Sequence, residues 1–448
     1  MRRSDTARTA KFRDARREVV MRRRRALEAL AALGTSALVG ACNTGAGPAG
    51  EGTRPPGKLR LVFKHQPLWG DPAPFRALLA EFERDNPDVQ VVTEPLPNAS
   101  DVVHQFFLTA LEGGARDFDV FVVDVVWVPE FARAGWLADL SATFAPSALR
   151  EQFLPGAAEA VVYEGKTWAV PWYVDVGVLY YRSDLFPEPP RTQADLERMA
   201  AGAVAAGQVK HGYVWQGRQY EGLICNAYEA IWGHGGSTMK DGRLLLDTPE
   251  ARAGLDWLRK LLEARISPPS VTSMAEEEAR RVFQEGNAAF MRNWPYAYAE
   301  AQREGSPIRG KVGMVALPSL DGQPGSGALG GYQLALNAHT PSWRREAVTK
   351  LITHLTSEKA NEVLAVSYGR NPPARHPYAA ERVIADAPLV ARLLPIVERA
   401  RPRPVSPYYP MISDTLQGEF SAAVSGIRTP AEALARAQRL VDHVMGAG

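Results

Sequence analysis

Three short clusters in this 448-residue sequence bring aromatic side chains close to carboxylates: Asp124 with Trp127, then Trp172, Tyr173 and Asp175, then Trp294 and Tyr296. That mixture suits a sugar. A pyranose has an apolar C–H face that stacks on an aromatic ring, and a rim of hydroxyls that donate to carboxylates. Hydrogen bonds to a charged carboxylate are roughly twice as strong as neutral ones. Taken singly, each aromatic could equally pack a core and each Asp cap a helix. Their shared position at the carboxyl ends of predicted strands, where open α/β sheets bind ligands, favours a site.

Motifs for bond-making chemistry are missing. The sequence has no H-x-x-x-H or C-x-x-C pair with metal-ligand spacing and no G-x-S-x-G. Gly325–Gly331 (GSGALGG) is glycine-rich but carries no Lys and leads into a strand, so it reads as a turn and not as a phosphate cradle. His234, in WGHGG, has no evident orienting partner and reads as a turn histidine. No catalytic residue, metal or cofactor is implied.

The elements that must position these clusters follow from periodicity. Leu59–Lys64 alternates as a strand, and Pro74–Asp85 places Phe75, Leu78, Leu79 and Phe82 on one helical face. Val89–Thr93 is a second strand and Ser100–Leu111 a helix. Asp119–Val126 (DVFVVDVV) is a continuous apolar run, as expected of a buried parallel strand. Trp168–Arg182 is a second such run. Beyond it, helices are predicted over 193–206, 221–232, 249–264, 274–285 and 295–303, with strands at 211–215, 243–246, 288–291, 311–316 and 331–337. Two helices, 341–356 and 358–367, precede a Pro-rich segment (RARPRPVSPYYP) and a final helical stretch. Strands alternating with helices give an α/β fold, each lobe a mainly parallel sheet flanked by helices.

The N-terminal segment bears on where the protein works. Arg22–Arg25, an apolar run from Ala26 to Val39 too short to span a bilayer, and Gly40-Ala41 before Cys42 have the layout of a secretory leader. Met21 reads as the initiator and residues 1–41 as a signal peptide. Of the 52 Lys and Arg and 50 Asp and Glu, the first 41 residues hold 11 and 4, leaving 41 basic against 46 acidic residues. The basic balance therefore belongs to the leader, and nucleic-acid binding loses its main support. Roughly 400 remaining residues exceed one ordinary core, so two lobes are expected. Asn43–Gly57, rich in Gly and Pro, reads as a flexible tether. With Cys42 lipidated, Cys225 has no partner in the chain and reads as a buried thiol.

From Lys58 onward the chain resembles the family-one bacterial extracellular solute-binding proteins, the carbohydrate-binding components of ABC transporters, and within them the trehalose/maltose-binding branch. The segments that carry the likeness are FDVFVVDVVWVPEFARAGWLADL (118–140), VPWYVDVGVLYYRSDLF (170–186), FMRNWPYAY (290–298), GGYQLALN (330–337) and ARPRPVSPYYPMISDTLQGEF (400–420). Val39-Gly40-Ala41-Cys42 likewise resembles a lipobox with Cys42 as the lipidated residue.

The resemblance implies a periplasmic-binding-protein fold of the type II kind, with sugar held between two lobes and no bond broken. The lobes would be 58–173 plus 312–370 and 174–311 plus 371–448, joined by crossings near Trp172–Gly177, Lys311–Pro318 and Arg370–His376. It also implies hydroxyl-binding roles for Asp124, Tyr173 and Asp175, stacking or lining roles for Trp294, Tyr296 and Tyr332, and a sugar-contacting arginine at Arg401, with Arg370 and Arg403 as alternatives. Asp71 would supply an acidic contact after the first strand, with Gln66 or His65 able to replace it. The implied partners are a carbohydrate, a permease and, through the lipid, a membrane; a monomer is expected, exported and anchored on the outer face of the cytoplasmic membrane or in the periplasm. Two other readings stay open: the same fold holding a polyamine or glycerophosphodiester, and a glycoside hydrolase using Asp124 and Asp175.

Overall fold

The computed structural model describes Arg54, residues 56–240 and residues 243–446. The expected leader, Cys42 and most of the tether lie outside the described residues. No described helix is long and apolar enough to cross a membrane.

Two sheets organise the body. The first has the order β2-β1-β3-β9-β4, where β1 is Leu59–His65, β2 Val89–Pro95, β3 Val120–Asp124, β4 Val170–Val176 and β9 Leu329–Leu336. The second has the order β8-β5-β7-β6, where β5 is Val178–Arg182, β6 His211–Val214, β7 Ala288–Asn293 and β8 Val312–Val315. Each sheet runs one way except for a single reversed strand, β9 in the first and β5 in the second. Strand β3 is buried along its whole length, which is why its sequence shows no polar alternation. The same holds for β4, and for helix α1 (Glu221–Gly233), every residue of which is buried. An α-helix without a polar face sits inside a layered fold, covered on all sides.

The apolar run Trp168–Arg182 is two strands. Strand β4 ends at Val176 in the first sheet and β5 begins at Val178 in the second, so the chain changes lobe at Gly177. A Cβ at Gly177 would lie 1.9 Å from Glu229 Oε1, so only glycine fits. The return runs between β8 and β9. Val312–Val315, assigned from sequence to the first lobe, pairs with β5 in the second sheet, since Val312 aligns with Arg182 and Val315 with Leu179.

The third crossing also falls later than expected. Asn371 bridges Val174 on β4, and the short helices Glu381–Asp386, Pro388–Arg392 and Leu394–Val397 follow on the first lobe's side. The chain passes over near Arg401, which bridges Ala328. Helix α2 (Tyr409–Val424) then packs on α1. At the crossings, Arg401 N–H donates to Gly327 O at 2.9 Å, Leu329 N–H to Arg401 O at 2.8 Å and Gly177 N–H to Ala328 O at 3.3 Å. All three crossings are thus tied to one another by backbone hydrogen bonds.

Candidate functional site

The first lobe's half of the site is laid across three adjacent strands. Asp124, the last residue of β3, aligns with Tyr332 on β9, and Tyr332 aligns with Tyr173 on β4. Asp175 aligns with Gly330. The β9 backbone is irregular here: the register shifts after Tyr332, and Gly331 has φ +113°, with room for no Cβ because Tyr173 O would lie at 2.4 Å. This brings the Tyr173 and Tyr332 rings to 5.9 Å between centroids.

The second lobe supplies residues from strand and helix ends. Trp294 follows β7 and is half-buried, with the edge of its ring 3.2 Å from the position of a Cβ on Gly330. The guanidinium of Arg292 lies 4.0 Å from the Trp294 ring centroid, and Trp294 Nε1 donates weakly to Glu276 Oε1 at 3.4 Å. Tyr296 is buried and its hydroxyl donates to Glu277 at 2.7 Å.

Groups from both lobes line one cavity, part of it open to solvent. Six of the eight sequence-expected residues are in its wall: Asp124, Tyr173, Asp175, Trp294, Tyr296 and Tyr332. Two are not. Asp71 is exposed, and its carboxylate accepts from Ala73 N–H at 2.9 Å, capping the helix Ala73–Asp85. Gln66 takes the place in the wall, whereas His65 is buried among Phe63, Phe75 and Trp172. Arg401 turns away, its guanidinium 4.9 Å from the Trp232 ring, while its alternatives Arg370 and Arg403 both reach the cavity.

Arg370 and Arg403 each face an acid. Arg370 Nη1 is 3.6 Å from Asp175 Oδ2, and its guanidinium lies 4.6 Å from the Tyr173 ring centroid. Burial raises the Asp175 carboxyl to about 6, with Arg370 pulling the other way. Asp175 Oδ1, Tyr173 Oη, Gln66 Nε2 and Arg370 Nε are buried without a hydrogen-bond partner in the protein. Tyr220 Oη and Arg403 Nε are in the same condition; buried polar atoms without partners are uncommon, and six of them around one cavity suit a ligand rich in hydroxyls. Arg403 is bonded differently at its other nitrogens. Its Nη2 donates to Asp124 Oδ1 at 3.0 Å and its Nη1 to Glu221 Oε1 at 2.6 Å. Burial raises the Asp124 carboxyl above the usual range, opposed chiefly by Arg403.

Glu221 and Glu276 also line the cavity and escaped the sequence reading. The signal for Glu221 was present, since it opens a mostly apolar helix in which a buried acid needs a partner. Nothing in sequence marks Glu276 within its acidic run Glu276–Glu278. Among the described residues no cluster of His, Cys, Asp and Glu could hold a metal ion.

Comparison with known proteins agrees with this geometry. The profile of the bacterial extracellular solute-binding proteins matches residues 67–362. A probable ABC transporter-binding protein of Deinococcus radiodurans is 36% identical over 372 residues, covering 79% of this chain and 86% of that protein. A mannitol-binding protein of Pseudomonas aeruginosa is 24% identical over 396 residues, covering 81% of this chain and 88% of the relative. The maltose-bound structure of T. maritima MalE3 superposes with a TM-score of 0.80 at 34% identity, covering 86% of this chain and all (100%) of the other. The chain belongs to the bacterial extracellular solute-binding protein family.

Proposed function

We propose that this protein is the substrate-binding component of an ABC transporter, that it captures a sugar of disaccharide size, such as trehalose or maltose, between its two lobes, and that it delivers the sugar to a membrane permease. The observation that carries the reading is the set of partnerless polar atoms, Tyr173 Oη, Asp175 Oδ1 and Gln66 Nε2, beside the aromatic faces of Trp294 and Tyr296. Arg370 and Arg403 are ion-paired with Asp175, Asp124 and Glu221, and with Glu276 the wall holds more acids than arginines, which suits a ligand that donates hydroxyl hydrogens. The named ligands of the relatives, maltose and mannitol, are neutral polyhydroxyl compounds. Closure of the lobes excludes water and strengthens each hydroxyl bond.

The lobes take the form of residues from Lys58 to Val176 with 329–400, and residues 178–315 with the C-terminal helices, hinged where the three crossings meet. Cys42 carries a lipid, residues 43–57 act as a tether, and the exported protein works as a monomer on the outer face of the cytoplasmic membrane or in the periplasm. A thermal-shift panel of maltose, trehalose, mannitol, spermidine and glycerophosphocholine tests the reading, because a ligand that binds only the folded state raises Tm. A rise with spermidine alone, or maltose cleaved to glucose during the incubation, overturns it.

A further inference from the structure

The ligand cavity ends at a wall built from three charged side chains. A second cavity, also part open to solvent, adjoins it at Glu221. Ser100 and Glu221 line both. Asp124 and Arg403 face the first cavity, while Trp127, Tyr409, Gln105 and Gln417 face the second. The wall joins separate parts of the fold: Asp124 ends a strand of the first sheet, Glu221 begins a helix that packs on the second lobe, and Arg403 lies just past the third crossing.

The bonding within the wall is nearly complete without any ligand. Glu221 Oε1 accepts from Arg403 and from the Tyr409 hydroxyl, each at 2.6 Å, and its Oε2 accepts from the Ser413 hydroxyl. Asp124 Oδ1 accepts from Arg403 and from Val126 N–H at 3.2 Å. Arg403 is 3% exposed, and both its Nη atoms are occupied. Around Asp175 and Tyr173, by contrast, polar atoms stand free. At the Arg403 end only the Arg403 Nε stands free among the guanidinium nitrogens, whereas both Nη atoms are held by acids.

We propose that Arg403, clamped between Asp124 and Glu221, closes the end of the cavity and sets the maximum length of the ligand. The inference rests on the sugar-binding reading above. Past the wall, the second cavity has hydrogen-bonding groups for further sugar hydroxyls in Gln105, Asp414 and Gln417. A longer saccharide is excluded because it must break a buried ion pair and leave its members without partners.

The test compares calorimetric Kd values of the wild-type protein, Arg403→Lys and the double variant Arg403→Ala/Glu221→Gln. The double variant removes the wall without stranding a charged Glu221. The probes are maltose through maltotetraose and cellobiose through cellotetraose. Wild type should prefer the disaccharide over the tetrasaccharide of its series, and the double variant should lose at least about tenfold of that preference, the scale on which one misfitting group discriminates. Arg403→Lys keeps the charge with a thinner side chain, and should shift the ratio the same way if the double variant shows no melting transition. An unchanged length preference in a folded variant, or a wild type that binds the tetrasaccharide as tightly as the disaccharide, overturns the inference alone. A wild type that binds no member of either series overturns the sugar reading and the inference with it.

Discussion

Glu229 and Arg292 form a two-point ion pair in the interior of the second lobe, directly beneath Gly177. Arg292 Nη2 lies 2.5 Å from Glu229 Oε1 and its Nε 2.8 Å from Oε2, with the two side chains 1% and 5% exposed. The same Oε1 accepts from Ala328 N–H at 2.9 Å, and Arg292 also lies over the Trp294 ring. One carboxylate therefore touches the second crossing, abuts the first, and holds the guanidinium behind a cavity aromatic.

Removing one member of that pair should be costly. Glu229→Ala leaves a buried guanidinium without its counter-charge, held only by Gln216, and a hinge amide without a partner, and should destabilise the protein by about 3–5 kcal/mol in urea unfolding. Gly177→Ala should cost about 1–3 kcal/mol through overpacking against the same carboxylate. A Gly177→Ala protein as stable as wild type would mean that the crossing has room to spare.

Asp175 should make sugar affinity pH-dependent. Its carboxyl titrates at about 6 because burial disfavours the charge. Hydroxyls of a bound ligand donate to the ionised form, so affinity should rise as pH passes upward through 6, with protons released on binding near that pH. For the free protein the sign is opposite: a raised pKa gives stability that is complete below the unfolded value and is lost as pH rises through 6. Calorimetry in buffers of different ionisation enthalpy measures the release. In Asp175→Asn both the release and the affinity slope should vanish.

Trp294→Ala should weaken sugar binding by about 1–3 kcal/mol, the scale of a lost stacking surface. Its effect on the stability of the free protein should fall below the ~3–5 kcal/mol of a truncated core tryptophan, because the ring is half-buried. Ligand should change the tryptophan fluorescence of the wild type. A variant that unfolds readily yet binds normally would place Trp294 in the core.

Cys42→Ser should release the protein from membranes or stall its processing, as expected where a lipid is the anchor. Fractionation of membranes from soluble material reads the outcome. A serine variant that stays with the membrane would remove the lipid from the account.

Most strands and helices were legible because their patterns are strong. DVFVVDVV is apolar throughout since both faces of β3 are covered, and Thr248 caps the helix Pro249–Glu263 as its sequence announces. The first crossing was expected within Trp172–Gly177, but its position at Gly177 was not legible, since strands on either side are equally apolar and only the sheet order tells them apart. The short helices between 381 and 397 carry too few turns to show a period. The choice between Arg401 and Arg403 was beyond the sequence for another reason. They flank Pro402, where the backbone is extended and residues two apart share a side, yet the bridge at Ala328 gives them different surroundings. Asp71 looked like a ligand group because a short acid before a helix reads the same way whether it caps or binds.

The order of strands in the first sheet also governs when that sheet can exist. The second sheet draws all four strands from residues 178–315, a continuous stretch that can pair as soon as it is available. In the first sheet β9 lies between β3 and β4, so residues 120–124 and 170–176 have no neighbour on their facing sides until 329–336 arrive. Pairing across so many residues is slow, because the entropy of closing the loop is lost before any contact compensates for it. Throughout that delay β3 and β4 are open, largely apolar strand edges, the kind that recruit other chains. Leu329–Leu336 is therefore the segment whose late insertion decides between folding and aggregation.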